Sequence, residues 1–443
     1  MSEAVRQDWQ RRSLAAVWHP CTQMARAQDV PPLPIARGHG PWLIDHEGAR
    51  YFDANSSWWV NLFGHADKGL NDAIKQQLDT LPHVMLAGCT HEPAVRLSER
   101  LSARTGGALG HVFFGSDGAS AVEIALKQSF HAWRNRGLTD KREFVCLKNG
   151  YHGETIGALA VTDVAIFRDA YDPLLMRSHI VTSPDQRLGN EAQAIEEMRA
   201  LLAQRHDHIA AVIVEPLVQG AAGMSMYAPS YLKALRALCT EFKVHLIADE
   251  IAVGCGRTGT FFAWEQTAPA TKADWPDFLL LSKGITGGTM PLSLVLTTDD
   301  VYQAFWSQDV TRGFLHSHSY TGNPLACAAA NAVLDRFDAG QLDRNQQQAA
   351  WLTEAFAPLA ADPRVTHLRQ RGMILAFDIN PKTTAPVERF SEKFHLAARK
   401  HELLIRPIGQ TVYLMPPYLI DEAAAKFLAN AVRATLAEVL HAA

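Results

Sequence analysis

No apolar run in this 443-residue sequence approaches the roughly 20 residues a membrane helix needs. The opening stretch MSEAVRQDWQRRSL lacks the apolar core of a secretory leader. The six cysteines (Cys21, Cys89, Cys146, Cys239, Cys255 and Cys327) are scattered, and none forms a CxxC pair. That predicts reduced thiols in a cytosolic protein. Charge of one sign is also missing. With 42 basic and 46 acidic residues the formal net charge is −4, so nothing favours a nucleic acid or an anionic membrane as partner. The expectation is a cytoplasmic protein with no nucleic acid and no membrane among its partners. There is no Walker pattern. A GxGxxG match, GCGRTG over Gly254 to Gly259, runs into TFFAWEQ without a strand-to-helix context and reads as a chance match.

What is present is an alternation of two textures. The chain is longer than a single core usually supports. GPWLIDHEGARYFDA (Gly40 to Ala54) reads as a hairpin around HEG. REFVCL, IAAVIVEP, VHLIADE, FLLLS and LSLVLTT then read as strands apolar nearly throughout. They alternate with helical segments such as ASAVEIALKQSFHAWRNRG and YLKALRALCTEF. Buried strands separated by helices predict an α/β fold: a mostly parallel central sheet covered by helices on both faces. From about Phe337 polar-faced helices surround short strands (MILAFDI, TVYLMPP), which predicts a smaller α+β domain. The expected organisation is an N-terminal segment, residues 1–65, packing with the small domain; a large α/β domain, 66–336; and a C-terminal small domain, 337–443.

In open α/β sheets, ligands bind beyond the carboxyl ends of the strands. After HVFF comes GSDGAS and then a helix. Such a turn is either an anion site, where free N–H groups and the helix dipole converge, or an ordinary capped helix start. After REFVCLKN come Tyr151 and His152, a plate for a planar ligand or two packed aromatics. After IAAVIV comes Glu215, and after VHLIA comes Asp249, each an acid at a buried strand end that needs a partner. After FLLLS comes Lys283, which either snorkels to solvent or stands as an amine of lowered basicity able to form a Schiff base. An anion cradle, an aromatic plate, a buried acid and an amine, in that order, together describe what pyridoxal 5'-phosphate requires.

The motifs YHGET, IADEIAVGCGRTG, LSKGITGG and HSHSYTGNP resemble those of the class III (ω-amino-acid type) aminotransferases, which have the fold type I architecture, and they fall in that family's order. The resemblance covers nearly the whole chain. It implies that Lys283 is the Schiff-base lysine and proton shuttle, that Asp249 pairs with the pyridine nitrogen, and that Tyr151 stacks on the ring opposite Ile251. It places Asp117 and Gly118 in the phosphate turn and has Ser319 reach the phosphate of a second subunit, so a homodimer with shared active sites is expected.

Four further stretches, VWHPCTQM, SSWWVNLFGH, SFHAWRNRG and LIRPIGQTVYLMPPY, narrow the resemblance to a branch of the family. That branch implies S-adenosylmethionine as amino donor and 8-amino-7-oxononanoate as acceptor. Arg406 then takes the acceptor's carboxylate and Trp58 lines the substrate channel beside Tyr151 and Lys283. Tyr413 and Arg257 are further candidates. Cys21 and His318 stand where tyrosine and proline are common in such enzymes. The rival within the family is an ω-amino acid or diamine:pyruvate aminotransferase. A rival of another class, a non-catalytic regulator, would bring a DNA-binding module for which the chain has no room before the hairpin.

Overall fold

The computed structural model describes residues 3–440. They fall into two compact units, one of residues 69–345 and one that joins the described residues up to 68 with those from 346 onward. The second join falls inside a continuous helix, Gln341–Phe356. Among the described residues no helix is long and apolar enough to cross a membrane.

The unit of residues 69–345 is built on seven strands: β1 (His111–Gly115), β2 (Glu143–Leu147), β3 (His179–Val181), β4 (Ile209–Val214), β5 (His245–Asp249), β6 (Phe278–Leu281) and β7 (Ser293–Thr297). Their order across the sheet is β1-β7-β6-β5-β4-β2-β3. β7 alone runs against its neighbours β6 and β1; the other pairings are parallel. The mostly parallel α/β sheet expected from the apolar strands is therefore the observed one. β4, β5 and β6 are buried along their whole length. A strand covered on both faces gains from every side chain, at roughly 1.5–3 kcal/mol for each fully buried Leu, Ile or Val. The helix Gly118–Asn135 packs one such face, with Val122, Ile124, Ala125 and Leu126 in the same core as Ile213, Ile247 and Leu280.

The topology puts the carboxyl ends of β1, β2, β4, β5 and β6 on one edge of the sheet, and the chain beyond each end carries the polar residues singled out above. GCGRTG forms consecutive turns rather than a helix start, in keeping with a chance match.

The other unit joins the expected hairpin, Trp42–Asp45 with Arg50–Asp53, to the strands Ile35–His39 and Leu403–Leu404 in one four-stranded sheet. Asp45 closes the hairpin by accepting from the N–H groups of Glu47 and Ala49 with Oδ1, at 3.0 and 2.9 Å. An antiparallel sheet of Val365–Arg371, Ile374–Ile379 and Thr411–Leu414 and the helices Phe390–Arg399 and Glu422–Val439 complete it.

Candidate active site

β5 and β6 are parallel neighbours, with Asp249 paired to Leu280. Asp249 therefore ends one strand beside the strand that leads into Lys283. Lys283 has φ of +45°, a left-handed conformation that a non-glycine residue adopts only under constraint. Burial pushes its ammonium below the usual lysine range, while the charges of Asp249, Glu215 and Glu154 pull it back. The residue as a whole is half-buried, and Asp249, Glu215 and Glu154 are the carboxylates whose charge acts on its amine.

Asp249 is buried and well partnered. Its Oδ2 lies 2.7 Å from His152 Nδ1, and its Oδ1 accepts the Ile251 N–H at 3.1 Å. Glu215, at the end of β4, accepts the Tyr151 N–H at 3.0 Å and the Gly220 N–H at 2.9 Å. Burial raises the Glu215 carboxyl to about 7, against the opposing charge of His152. The Tyr151 hydroxyl donates to Glu154 Oε1 at 3.1 Å, and its ring lies 5.5 Å from that of Phe167. Glu250, next to Asp249, is fully enclosed and raised to about 8; it accepts the N–H groups of Ala263 and Trp264, both at 2.7 Å.

At the end of β1 the chain turns through Ser116 and Asp117 into the helix that begins at Gly118. Asp117 is the helix cap: its Oδ1 accepts the Ser120 N–H and its Oδ2 the Ser120 hydroxyl, both at 2.9 Å. The first amides of the helix, those of Gly118 and Ala119, remain directed out of its end, as in any helix N-terminus. A Cβ at Gly118 would stand 3.0 Å from Ile251 Cγ2 and 3.1 Å from Cδ1, so the missing side chain lets this turn close on the residue that Asp249 holds. Ser319 is exposed. Its neighbour His318 lies with Nδ1 2.8 Å from Ser116 Oγ, which ties this loop to the turn after β1.

Within the 69–345 unit, then, Asp117, Gly118, Tyr151, Asp249 and Lys283 gather at one edge of the sheet. The sequence of this chain from residue 23 to residue 436 matches the family described as aminotransferase class III. The chain belongs to the class III aminotransferases. As in that family, its cofactor is pyridoxal 5'-phosphate, and the donor set fits the group: a helix end for a phosphate, a buried carboxylate for a ring nitrogen, an amine of lowered basicity for an aldehyde.

Similarity to individual class III aminotransferases runs the length of the chain. An adenosylmethionine-8-amino-7-oxononanoate aminotransferase of Helicobacter pylori is 42% identical over 415 residues, 92% of each chain. One of Anoxybacillus flavithermus is 38% identical over 93% of this chain and 92% of its own. Among solved structures, the protein of that name from Methanocaldococcus jannaschii superposes with a TM-score of 0.93 at 33% identity, covering 98% of this chain and 99% of its own. A PLP-bound amine transaminase from an uncultivated Pseudomonas species gives 0.89 at 30% identity, covering 96% and 99%.

Trp58 and Arg406 belong to the other unit. Trp58 is 51% exposed, whereas Trp59 is buried and its indole donates to the Tyr413 hydroxyl at 3.0 Å. Tyr413 is itself buried, and burial raises its phenol to about 12. Arg406 is exposed, and its backbone N–H donates to Asn55 Oδ1 at 2.7 Å. Arg257 is fully buried. Sequence reasoning did not find the partnership of His152 with Asp249: the motif YHGET offered His152 only as a packed or stacking aromatic, and the carboxylate it meets is 97 positions away.

Proposed function

We propose that this protein transfers the amino group of S-adenosylmethionine to 8-amino-7-oxononanoate, giving 7,8-diaminononanoate in biotin biosynthesis. The observation that carries transamination is the placement of Lys283 and Asp249 beyond adjacent parallel strands, with burial lowering the amine's hold on its proton. The choice of substrates rests on relatives of that name that match over nine-tenths of both chains.

When bound, the cofactor supplies an aldehyde to take up the amino group and a ring that withdraws electrons from the reacting carbon. The chain's own residues do the rest. Asp249 holds a positive charge on the ring nitrogen, and His152 orients that carboxylate. The amides at the start of the helix Gly118–Asn135, which Asp117 caps, take the phosphate, and Ser319 of a second copy adds a hydroxyl in a homodimer. Tyr151 covers the ring, with its backbone fixed by Glu215. Lys283 would hold the cofactor through its Nζ, and the same Nζ would take the proton leaving the donor's α-carbon and return one to the acceptor carbon that gains the amine. A lowered affinity for protons suits it to both tasks. Arg406 pairs with the acceptor's carboxylate, for which a planar guanidinium is well shaped. Trp58 lines the apolar path to it. The proposed setting is the cytoplasm.

The test mixes pure holoenzyme with single amino donors and follows the cofactor's absorbance. Bleaching by S-adenosylmethionine, followed by recovery on adding 8-amino-7-oxononanoate, is the expected result. Bleaching by ornithine, β-alanine or lysine with no response to S-adenosylmethionine would favour the ω-amino acid or diamine reading. The likeness to the Pseudomonas amine transaminase keeps that reading in view.

A further inference from the structure

Ser56, Ser57, Trp58 and Trp59 have φ of +50°, +47°, +72° and +73°. Left-handed residues other than glycine normally occur singly, because the Cβ crowds the following carbonyl oxygen. A run of four persists only where its surroundings determine it, and here the determining groups are identifiable. Asp53, 1% exposed, accepts the Ser57 N–H with Oδ1 at 2.9 Å. Its Oδ2 accepts the Ser57 hydroxyl at 2.6 Å and faces His65 Nε2 at 2.9 Å. Asn61 Nδ2 lies 3.1 Å from His65 Nδ1, so the Nδ1 accepts and the Nε2–H donates to Asp53. The Ser56 hydroxyl donates to the Met415 carbonyl at 2.7 Å, and the Trp59 indole is held by Tyr413. Trp58 is the one residue of the run whose indole stands half exposed between anchored neighbours.

The same turn reaches Arg406. Asn55, immediately before it, accepts the Arg406 N–H at 2.7 Å and donates to the Tyr413 carbonyl at 3.1 Å. The main chain that carries the guanidinium and the turn that carries the indole are thus one hydrogen-bonded assembly within a single unit of the fold.

We infer that Asp53 is a positioning residue for the acceptor: by holding the Ser56–Trp59 turn left-handed, it fixes where the Trp58 indole stands relative to the Arg406 guanidinium. Asp53 touches no substrate. The inference rests on the roles proposed above for Trp58 and Arg406, and it names the ligand class that an indole and a guanidinium on one assembly suit: a carboxylate joined to an unbranched apolar stem. A turn relaxed to negative φ would redirect the Cα–Cβ bond of Trp58 and carry the indole away from the stem. Glycines could adopt the same φ without strain but would leave the turn free to move. Here side chains that resist the conformation are bonded into it, which makes the placement rigid.

The test uses holoenzyme of the wild type and of Asp53→Ala, Ser57→Ala, Ser57→Gly and Arg406→Ala. Binding of nonanoate, a carboxylate on an unbranched stem, is measured by titration calorimetry, and amide exchange of residues 55–61 by mass spectrometry. The KM for 8-amino-7-oxononanoate and the rate of the donor half-reaction are measured alongside. The wild type is expected to bind nonanoate and Arg406→Ala to lose it. Asp53→Ala should weaken nonanoate and raise the acceptor KM by about tenfold or more, with the donor half-reaction unchanged and faster exchange confined to 55–61. Both Ser57 variants keep the amide bond to Asp53 and lose the hydroxyl bond, so Ser57→Gly, relieved of strain, should retain more binding than Ser57→Ala; this pair carries the test if Asp53→Ala fails to fold. Unchanged nonanoate affinity despite faster exchange, equal loss in both half-reactions, or no binding by the wild type would overturn the inference. A wild type whose nonanoate binding depends on Asp53 and Arg406 yet which does not turn over 8-amino-7-oxononanoate would refute the proposed substrate and leave the positioning role standing.

Discussion

His152 Nδ1 lies 2.7 Å from Asp249 Oδ2, with both side chains out of contact with water. This bond, together with the Ile251 N–H on the other oxygen, sets the direction in which the carboxylate faces. Hydrogen bonds to charged groups are worth about 1.5–3 kcal/mol, so His152→Ala should lower kcat roughly 10- to 100-fold. The fold should persist. Steady-state kinetics with the cofactor in excess separates this from mere loss of cofactor, and unchanged kcat would assign His152 to packing alone.

Lys283→Ala should keep the fold and lose turnover by several orders of magnitude, about what removal of a nucleophile or general base costs. Single-turnover kinetics and the absorbance of bound cofactor read this directly. Near wild-type activity would overturn the proposed mechanism.

Arg406→Ala should raise the acceptor KM by about tenfold or more while the donor half-reaction stays largely intact, because the guanidinium is assigned to one substrate's carboxylate. Measuring the two half-reactions separately checks it. Equal losses in both would make Arg406 structural.

Glu250 yields a prediction about pH. Burial raises its carboxyl from 4.5 to about 8. The folded protein therefore binds more protons than the unfolded chain between those values, and stability from this group falls as pH rises through that window. It is fully present below about 4.5 and lost above about 8. Glu250→Gln, which cannot titrate, should show a flatter dependence of Tm on pH over the same range than the wild type. A parallel pair of curves would show that Glu250 does not titrate there.

The parts of the fold legible in the sequence are those whose signal is local. FLLL, HLIAD and IAAVIV announce buried strands because nearly every residue is apolar, and the polar residues that follow are conspicuous by contrast. The strand His179–Val181 has three residues and Leu403–Leu404 has two, too short for any periodicity to register. The left-handed turn at Ser56–Trp59 left no trace either, since the usual marker of positive φ is glycine and the turn contains none. Its cause lies in Asp53, His65 and Tyr413. The GSDGAS turn was legible only as two alternatives, and the structure adds that Asp117 caps the helix through its side chain. The role of His152 was hidden for a related reason: a side chain's partner across 97 positions is a property of the sheet order, which brings β2, β4 and β5 side by side.

The backbone of Lys283 stands where a folding chain, left to its own preferences, would put glycine. The residue placed there for chemistry is thus a residue tolerated there by architecture, and the two demands can be separated experimentally. Lys283→Gly should melt higher than Lys283→Ala, although both lack the amine. That difference in Tm would measure how much conformational stability this enzyme forgoes in order to react.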